Sequence, residues 1–152
     1  VSTKKADEIP DVGEAAPKVA TDTLASVGGN EDLLDTRTPP SDMHEQSLDK
    51  VLGKKPVALL FSTPQLCQSR VCGPVTDIAV ELKAKYGDQI EFIHQEVYTD
   101  NDPNQGLREP LEAFRLRTEP WLFAIGADGK VTRRLEGSFG QKAFEDAINT
   151  AL

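Results

Sequence analysis

The spacing of apolar positions changes along the chain and divides it into parts. Residues 1–12 are charged and polar (Lys4, Lys5, Asp7, Glu8, Asp11) with Pro10 among them, so they are expected to form a flexible tail. Residues 13–152 are read as one domain with its core in 56–152. Between 13 and 47 the pattern is weak. Val19-Ala20-Thr21 reads as a short strand, while Gly28-Gly29-Asn30 and Pro39-Pro40-Ser41-Asp42 read as turns. Ser47 to Leu52 reads as a short helix with Ser47 as N-cap and Gly53 beyond its end. From residue 56 the pattern is clear. Val57 to Phe61 is an unbroken apolar run, as in a strand buried on both faces. Val75, Ile78, Ala79, Leu82 and Tyr86 recur at helical spacing, which predicts a helix from Pro74 to Tyr86, stopped by Gly87. Ile90 to Val97 is the next strand, Tyr98 to Gly106 a polar loop, and Glu109 to Leu116 a short helix with Pro110 in its first turn. Trp121 to Ile125 and Val131 to Leu135 flank Asp128-Gly129, a hairpin signal. Ser138, with Gln141 three residues on, predicts a capping box at the head of the last helix. The order is strand, helix, strand, helix, strand, strand, helix. It predicts an α/β domain with right-handed parallel crossovers and an antiparallel edge.

Composition narrows the function. The chain has 152 residues, enough for one adequate core, and 38% of them are hydrophobic. A net charge of −8 argues against binding nucleic acid, whose phosphates it would repel. No apolar run approaches the roughly 20 residues that span a bilayer. The chain opens Val1-Ser2-Thr3 without Met and shows no secretion signal, as expected of a processed or trimmed product. The polar tail is also what a tether from a membrane anchor outside this sequence would look like.

The two cysteines are the chemistry-bearing feature. Cys67 and Cys72 lie between the strand ending at Phe61 and the helix starting near Pro74. Two cysteines are too few for a disulfide scaffold or a Cys-rich zinc site, but a close pair fits redox exchange or a local staple. A cysteine at the head of a helix meets the positive end of the helix dipole, which favours thiolate. Cys67, first after the strand, is the candidate nucleophile, and Cys72 its resolving partner. Five residues apart in an unbroken helix, their Cα atoms would be about 8.7 Å apart, too far for a disulfide, which wants less than about 7 Å. Pro74 disfavours helical geometry at Gly73. The stretch 67–73 is therefore expected to be a turn or an easily unwound segment that lets the bond close.

This order of elements, with cysteines between strand and long helix, resembles the thioredoxin-like superfamily over roughly residues 56–152. Gly13 to Pro17 (Gly-x-x-Ala-Pro) resembles the lead-in of its reductases and peroxiredoxins, and Cys72-Gly73-Pro74 echoes the thioredoxin Cys-Gly-Pro. The resemblance implies a thioredoxin fold, thiol–disulfide exchange with protein thiols or disulfides, no cofactor and no metal. It implies a cis Pro120 that, with Glu119 and Trp121, lines the groove where a partner's chain docks; Trp121 has core burial as its plainer role. A monomer and an extracytoplasmic, bacterial location are expected, the latter by likeness to membrane-tethered reductases of cytochrome maturation. The chain departs from the family in spacing, Cys-x-x-x-x-Cys, and in placing Phe61 where thioredoxins bury an Asp. His94 stands near the partner Lys position, so His94 and Glu96 are candidate proton acceptors for Cys72. The alternative for His94 is a hydrogen-bonded strand residue without chemistry. His44, in a polar loop, is expected to be solvated.

Two rival activities sit on the same residues. Thr63-Pro64 before Cys67, and the cysteine spacing, resemble a peroxiredoxin, yet Pro64 and Pro120 occupy the places of its Thr and Arg, with Arg70 and Arg117 off pattern. A Sco-type copper protein would use both cysteines with His94, or with His44 beside Met43. A non-catalytic binding module is the remaining class.

Overall fold

The computed structural model describes residues 9–67 and 70–152; most of the expected tail, residues 1–8, lies outside them. Four strands form one sheet: β1 (Val57–Phe61), β2 (Glu91–Gln95), β3 (Trp121–Ile125) and β4 (Val131–Glu136), in the order β2-β1-β3-β4. β1 and β2 are parallel, with Leu60 opposite His94; β1 and β3 are antiparallel, with Phe61 opposite Trp121. β3 and β4 form the hairpin predicted from Asp128-Gly129, with Gly129 in the left-handed region at φ +86°. Among the described residues five α-helices accompany the sheet: α1 (Glu31–Leu34), α2 (Leu48–Val51), α3 (Cys72–Tyr86), α4 (Glu109–Ala113) and α5 (Gln141–Ala151).

Strand alternation divides the core between two faces. Ala58, Leu60, Phe92, Leu122 and Ala124 point to one face, where Val75, Ala79 and Leu82 of α3 and Phe144, Ala147 and Ile148 of α5 cover them. Leu59, Phe61, Ile93 and Phe123 point to the other, under Leu48, Leu111 and Phe114 and the N-terminal Ala16 and Val19. β1 and β3 are buried along their whole length, which explains their continuous apolar sequences.

Four local expectations are corrected. α3 begins at Cys72, not Pro74. Its first N–H groups have no intrahelical partner in any case, so Pro74 sacrifices none, and Gly73 lacks the Cβ that sharpens the restriction before proline. α5 begins at Gln141 with Gly140 as N-cap and no side-chain cap, because the turn after β4 runs through Gly137 at φ +77° and past Ser138. Val19-Ala20-Thr21 forms no strand. Instead Thr21 N–H donates to Ser47 Oγ, Leu48 N–H donates to Thr21 Oγ1, and Asp22 N–H donates to Gln95 Oε1. Side chains take the place of a neighbouring strand there. His44 is buried, at 5% exposure, rather than solvated. β2 is a sheet edge, and its His94 N–H finds the Met43 carbonyl at 2.9 Å, which lays residues 43–44 along that edge.

The polar loop 98–106 forms two 3-10 turns, Thr99–Asn101 and Pro103–Gln105. Arg108 anchors it: Nε donates to Tyr98 O, Nη1 to Asp22 Oδ2, and Nη2 to both Leu33 O and Asn101 Oδ1. No described helix is long and apolar enough to cross a membrane.

Candidate functional site

Cys67 and Cys72 are joined by a disulfide, with Cα atoms 5.9 Å apart. That separation is ordinary for a disulfide and far below what one unbroken helix would give. Two features close it. Cys67 lies outside α3, and Arg70 takes a left-handed backbone, φ 63°, which turns the chain back toward the helix head. Arg70 N–H closes that turn on the Cys67 carbonyl at 3.3 Å. Cys72, the first residue of α3, is fully buried, whereas Cys67 is half-buried. The sulfur pair thus sits at the helix head with its first residue facing outward.

The sheet register brings the other predicted residues to the same end of the molecule. Phe61 pairs with Trp121, so the loop leaving β1 and the turn entering β3 emerge together. The Glu119–Pro120 bond in that turn is cis, and Pro120 is buried. Trp121 is core, stacked on Phe123 at 5.6 Å, with Nε1–H donating to Thr118 Oγ1. His94 and Glu96 leave β2 at this end too, since β2 runs parallel to β1.

Neither His94 nor Glu96 hydrogen-bonds Cys72. His94 Nε2 lies 2.9 Å from the Ser62 carbonyl, and Ser62 Oγ lies 2.7 Å from Thr76 Oγ1. Thr76 Oγ1 donates to the Cys72 carbonyl at 2.6 Å. This string ends on the Cys72 backbone, so it positions that residue. Glu96 Oε2 accepts from Thr36 N–H and Thr36 Oγ1–H, and Gln65 N–H donates to Thr36 Oγ1 in the loop that leads to Cys67. Both buried groups thereby fix the ends of the cysteine loop.

His94 also meets residues that the sequence pattern did not mark. His44 Nε2 is 2.9 Å from His94 Nδ1, and Asp35 Oδ2 lies 3.8 Å from the former and 3.7 Å from the latter. Asp35 accepts from Arg37 N–H at Oδ1 and from Ser41 N–H and Oγ–H at Oδ2. Burial pushes the Asp35 carboxyl up, but the His94 charge and these hydrogen bonds outweigh it and hold the group below its usual range. Burial, then the His94 charge, lowers the His44 imidazole to about 4, against the pull of Asp35 and the Ser41 backbone. Asp35, Ser62, Thr76 and Thr36 carry no periodicity or motif. His44 was visible only as a histidine beside Met43.

No protein-family model matches the chain, and no curated protein sequence matches it significantly. Solved structures do. A Chlorobium tepidum protein assigned as the thiol:disulfide interchange protein DsbE shares 18% identity at a TM-score of 0.63, over 93% of this chain and 98% of its own. DsbF of Mycobacterium tuberculosis shares 14% identity at 0.62, over 91% and 98%. A secreted M. tuberculosis disulfide oxidoreductase homologous to E. coli DsbE shares 13% identity at 0.58, over 88% and 96%. With a mixed four-stranded sheet, helices on its faces and a cysteine pair at the head of α3, the chain has the thioredoxin fold.

Proposed function

We propose that this protein is a thiol–disulfide oxidoreductase that exchanges electrons with protein thiols or disulfides, outside the cytoplasm of a bacterium. The observation that carries the reading is the Cys67–Cys72 disulfide at the head of α3, outward residue first and buried residue second. A secreted oxidoreductase and an exposed lipoprotein thioredoxin among the similar structures support the location.

In the reducing direction the Cys67 thiolate attacks one sulfur of a partner disulfide, and the partner's other sulfur leaves as thiolate. The Cys72 thiolate then attacks Cys67 Sγ, closes the intramolecular bond and expels the second partner thiolate. Two electrons pass to the partner, and the thiolates take protons from water. The reverse sequence oxidises a partner dithiol. The N-terminus of α3 favours the thiolate in both directions. Glu119 and Pro120 are assigned to the docking side of the groove, with Trp121 supporting them from the core. His94 and Glu96 are assigned to holding the cysteine loop.

Equilibration with glutathione buffers, followed by mass-spectrometric counting of free thiols, tests the reading. One two-electron transition is expected, and its midpoint sets the direction of electron flow. Cys72→Ser is expected to accumulate a mixed disulfide at Cys67, and Cys67→Ser none at Cys72. Failure of the wild-type chain to form an intramolecular disulfide in solution would overturn the proposal.

A further inference from the structure

We propose that Asp35, His44 and His94 form a binding site for one divalent transition-metal ion of the zinc type, separate from the cysteines. The three ligand atoms are Asp35 Oδ2, His44 Nε2 and His94 Nδ1, spaced 2.9, 3.7 and 3.8 Å from one another. A point equidistant from all three lies about 2.0 Å from each, which is the length of zinc–imidazole and zinc–carboxylate bonds.

The hydrogen bonds prepare these atoms for a cation. The Ser62 carbonyl only accepts, so His94 Nε2 carries a ring proton, which leaves Nδ1 as the nitrogen a cation would take. His44 Nε2 and His94 Nδ1 lie 2.9 Å apart with Asp35 Oδ2 beside both, so a cation between the rings would take a lone pair from each. A histidine whose far N–H is held by a carbonyl, and a carboxylate held by Arg37 and Ser41, are the outer supports that orient metal ligands. Occupancy asks that the proton shared by the two rings leave and that the Ser41 hydroxyl turn away from Oδ2, which keeps the Ser41 N–H.

Charge points the same way. Asp35 and Glu96 are both fully buried, and among the described residues the only basic side chains within salt-bridge reach of either are the two histidines. Glu96 Oε1 has no hydrogen-bond partner among the described residues. Carboxylate charge is costly to bury, and a divalent cation bound beside Asp35 would compensate it. His44 lines a cleft of about 570 Å³ whose wall carries Glu31, Asp42 and Glu45.

The test uses the full chain with its disulfide closed, so that neither thiol can bind metal. Zinc titration by calorimetry is expected to show one ion per chain with a dissociation constant in the micromolar range or tighter. Cobalt(II) is expected to give ligand-field bands without thiolate charge transfer. The chain has only two histidines. Their imidazole nitrogen resonances are both expected to shift on adding one equivalent of zinc. Asp35→Asn and His44→Gln, each checked for folding by circular dichroism, are expected to weaken zinc binding at least 100-fold. Absence of stoichiometric zinc binding by the oxidised wild type, or unmoved histidine resonances, would overturn the site whether or not the variants fold. Unchanged affinity in a folded variant would overturn it too.

Discussion

At the scale of single residues, the reactivity of Cys67 depends on a neighbour with no chemistry of its own. Arg70 adopts φ 63°, a backbone that costs an ordinary L-residue about 1 kcal/mol and a β-branched one more. Arg70→Val is therefore expected to strain the disulfide-closed loop by roughly 1–2 kcal/mol and so to make the pair easier to reduce, raising its potential by roughly 20–40 mV. Equilibration of wild type and variant in one glutathione series measures this, and equal midpoints would show that the reduced loop keeps the same turn. Thr76 makes a second prediction at this scale. Its hydroxyl joins Ser62 Oγ to the Cys72 carbonyl in a buried setting, so Thr76→Val leaves the Ser62 hydroxyl without this partner and the Cys72 carbonyl with its helical bond alone. A loss of about 1–3 kcal/mol in stability by urea unfolding is expected. Cys67 and Cys72 were legible from spacing alone, because only their position between a strand and a helix matters. Thr76 was hidden, because a Thr inside a helical pattern looks the same whether or not its hydroxyl meets a strand end.

At the scale of elements, the loop after β2 is held by one side chain. The Arg108 side chain makes four hydrogen bonds, two within the loop at Tyr98 and Asn101 and two to the N-terminal segment at Asp22 and Leu33. Arg108→Met keeps the apolar stem but removes all four bonds, leaving Asp22 Oδ2 to Gln95 Nε2 and the Tyr98 carbonyl to Asn101 N–H. It is expected to cost roughly 2–4 kcal/mol and to speed amide exchange in residues 98–106 above that of β1. Exchange unchanged in that loop would show that its own 3-10 turns suffice. The sequence marked this stretch as a loop from its polarity, and the strands around it from their alternation. It missed the role of Arg108, since one arginine before a short helix looks like any surface charge. The start of α3 was displaced by two residues for a similar reason: the pattern located Pro74 but could not weigh Gly73, whose missing Cβ lets the helix begin at Cys72.

At the scale of the whole molecule, the buried polar cluster links stability to pH. The folded chain holds His44 near 4, whereas in the unfolded chain it titrates near 6.5. The unfolded state therefore binds more protons below 6.5, and stability falls as pH drops from 6.5 toward 4, remaining full above about 7. His94 and Lys83 oppose a proton on His44, and Asp35 and the Ser41 backbone favour one. Moving that titration from 6.5 to about 4 is worth at most roughly 3 kcal/mol. Urea unfolding at pH 7.5 and pH 5 measures the difference, and equal midpoints would show that His44 charges freely in the fold.

By itself the sequence determined the four strands, the long helix, the hairpin and the cysteine pair, because each rests on contacts between residues close in the chain or on a strict period of burial. The strand order, the closing of the disulfide and the polar cluster were decided by tertiary structure. His44 lies fifty residues from His94 in the chain, and Pro39-Pro40-Ser41-Asp42 before it reads as a solvated turn. Only when β2 becomes the edge of the sheet does its free His94 N–H draw the Met43 carbonyl in, and burial of residues 43–44 follows. An unpaired backbone donor at a sheet edge is a property of the assembled sheet, and no local pattern of residues encodes it.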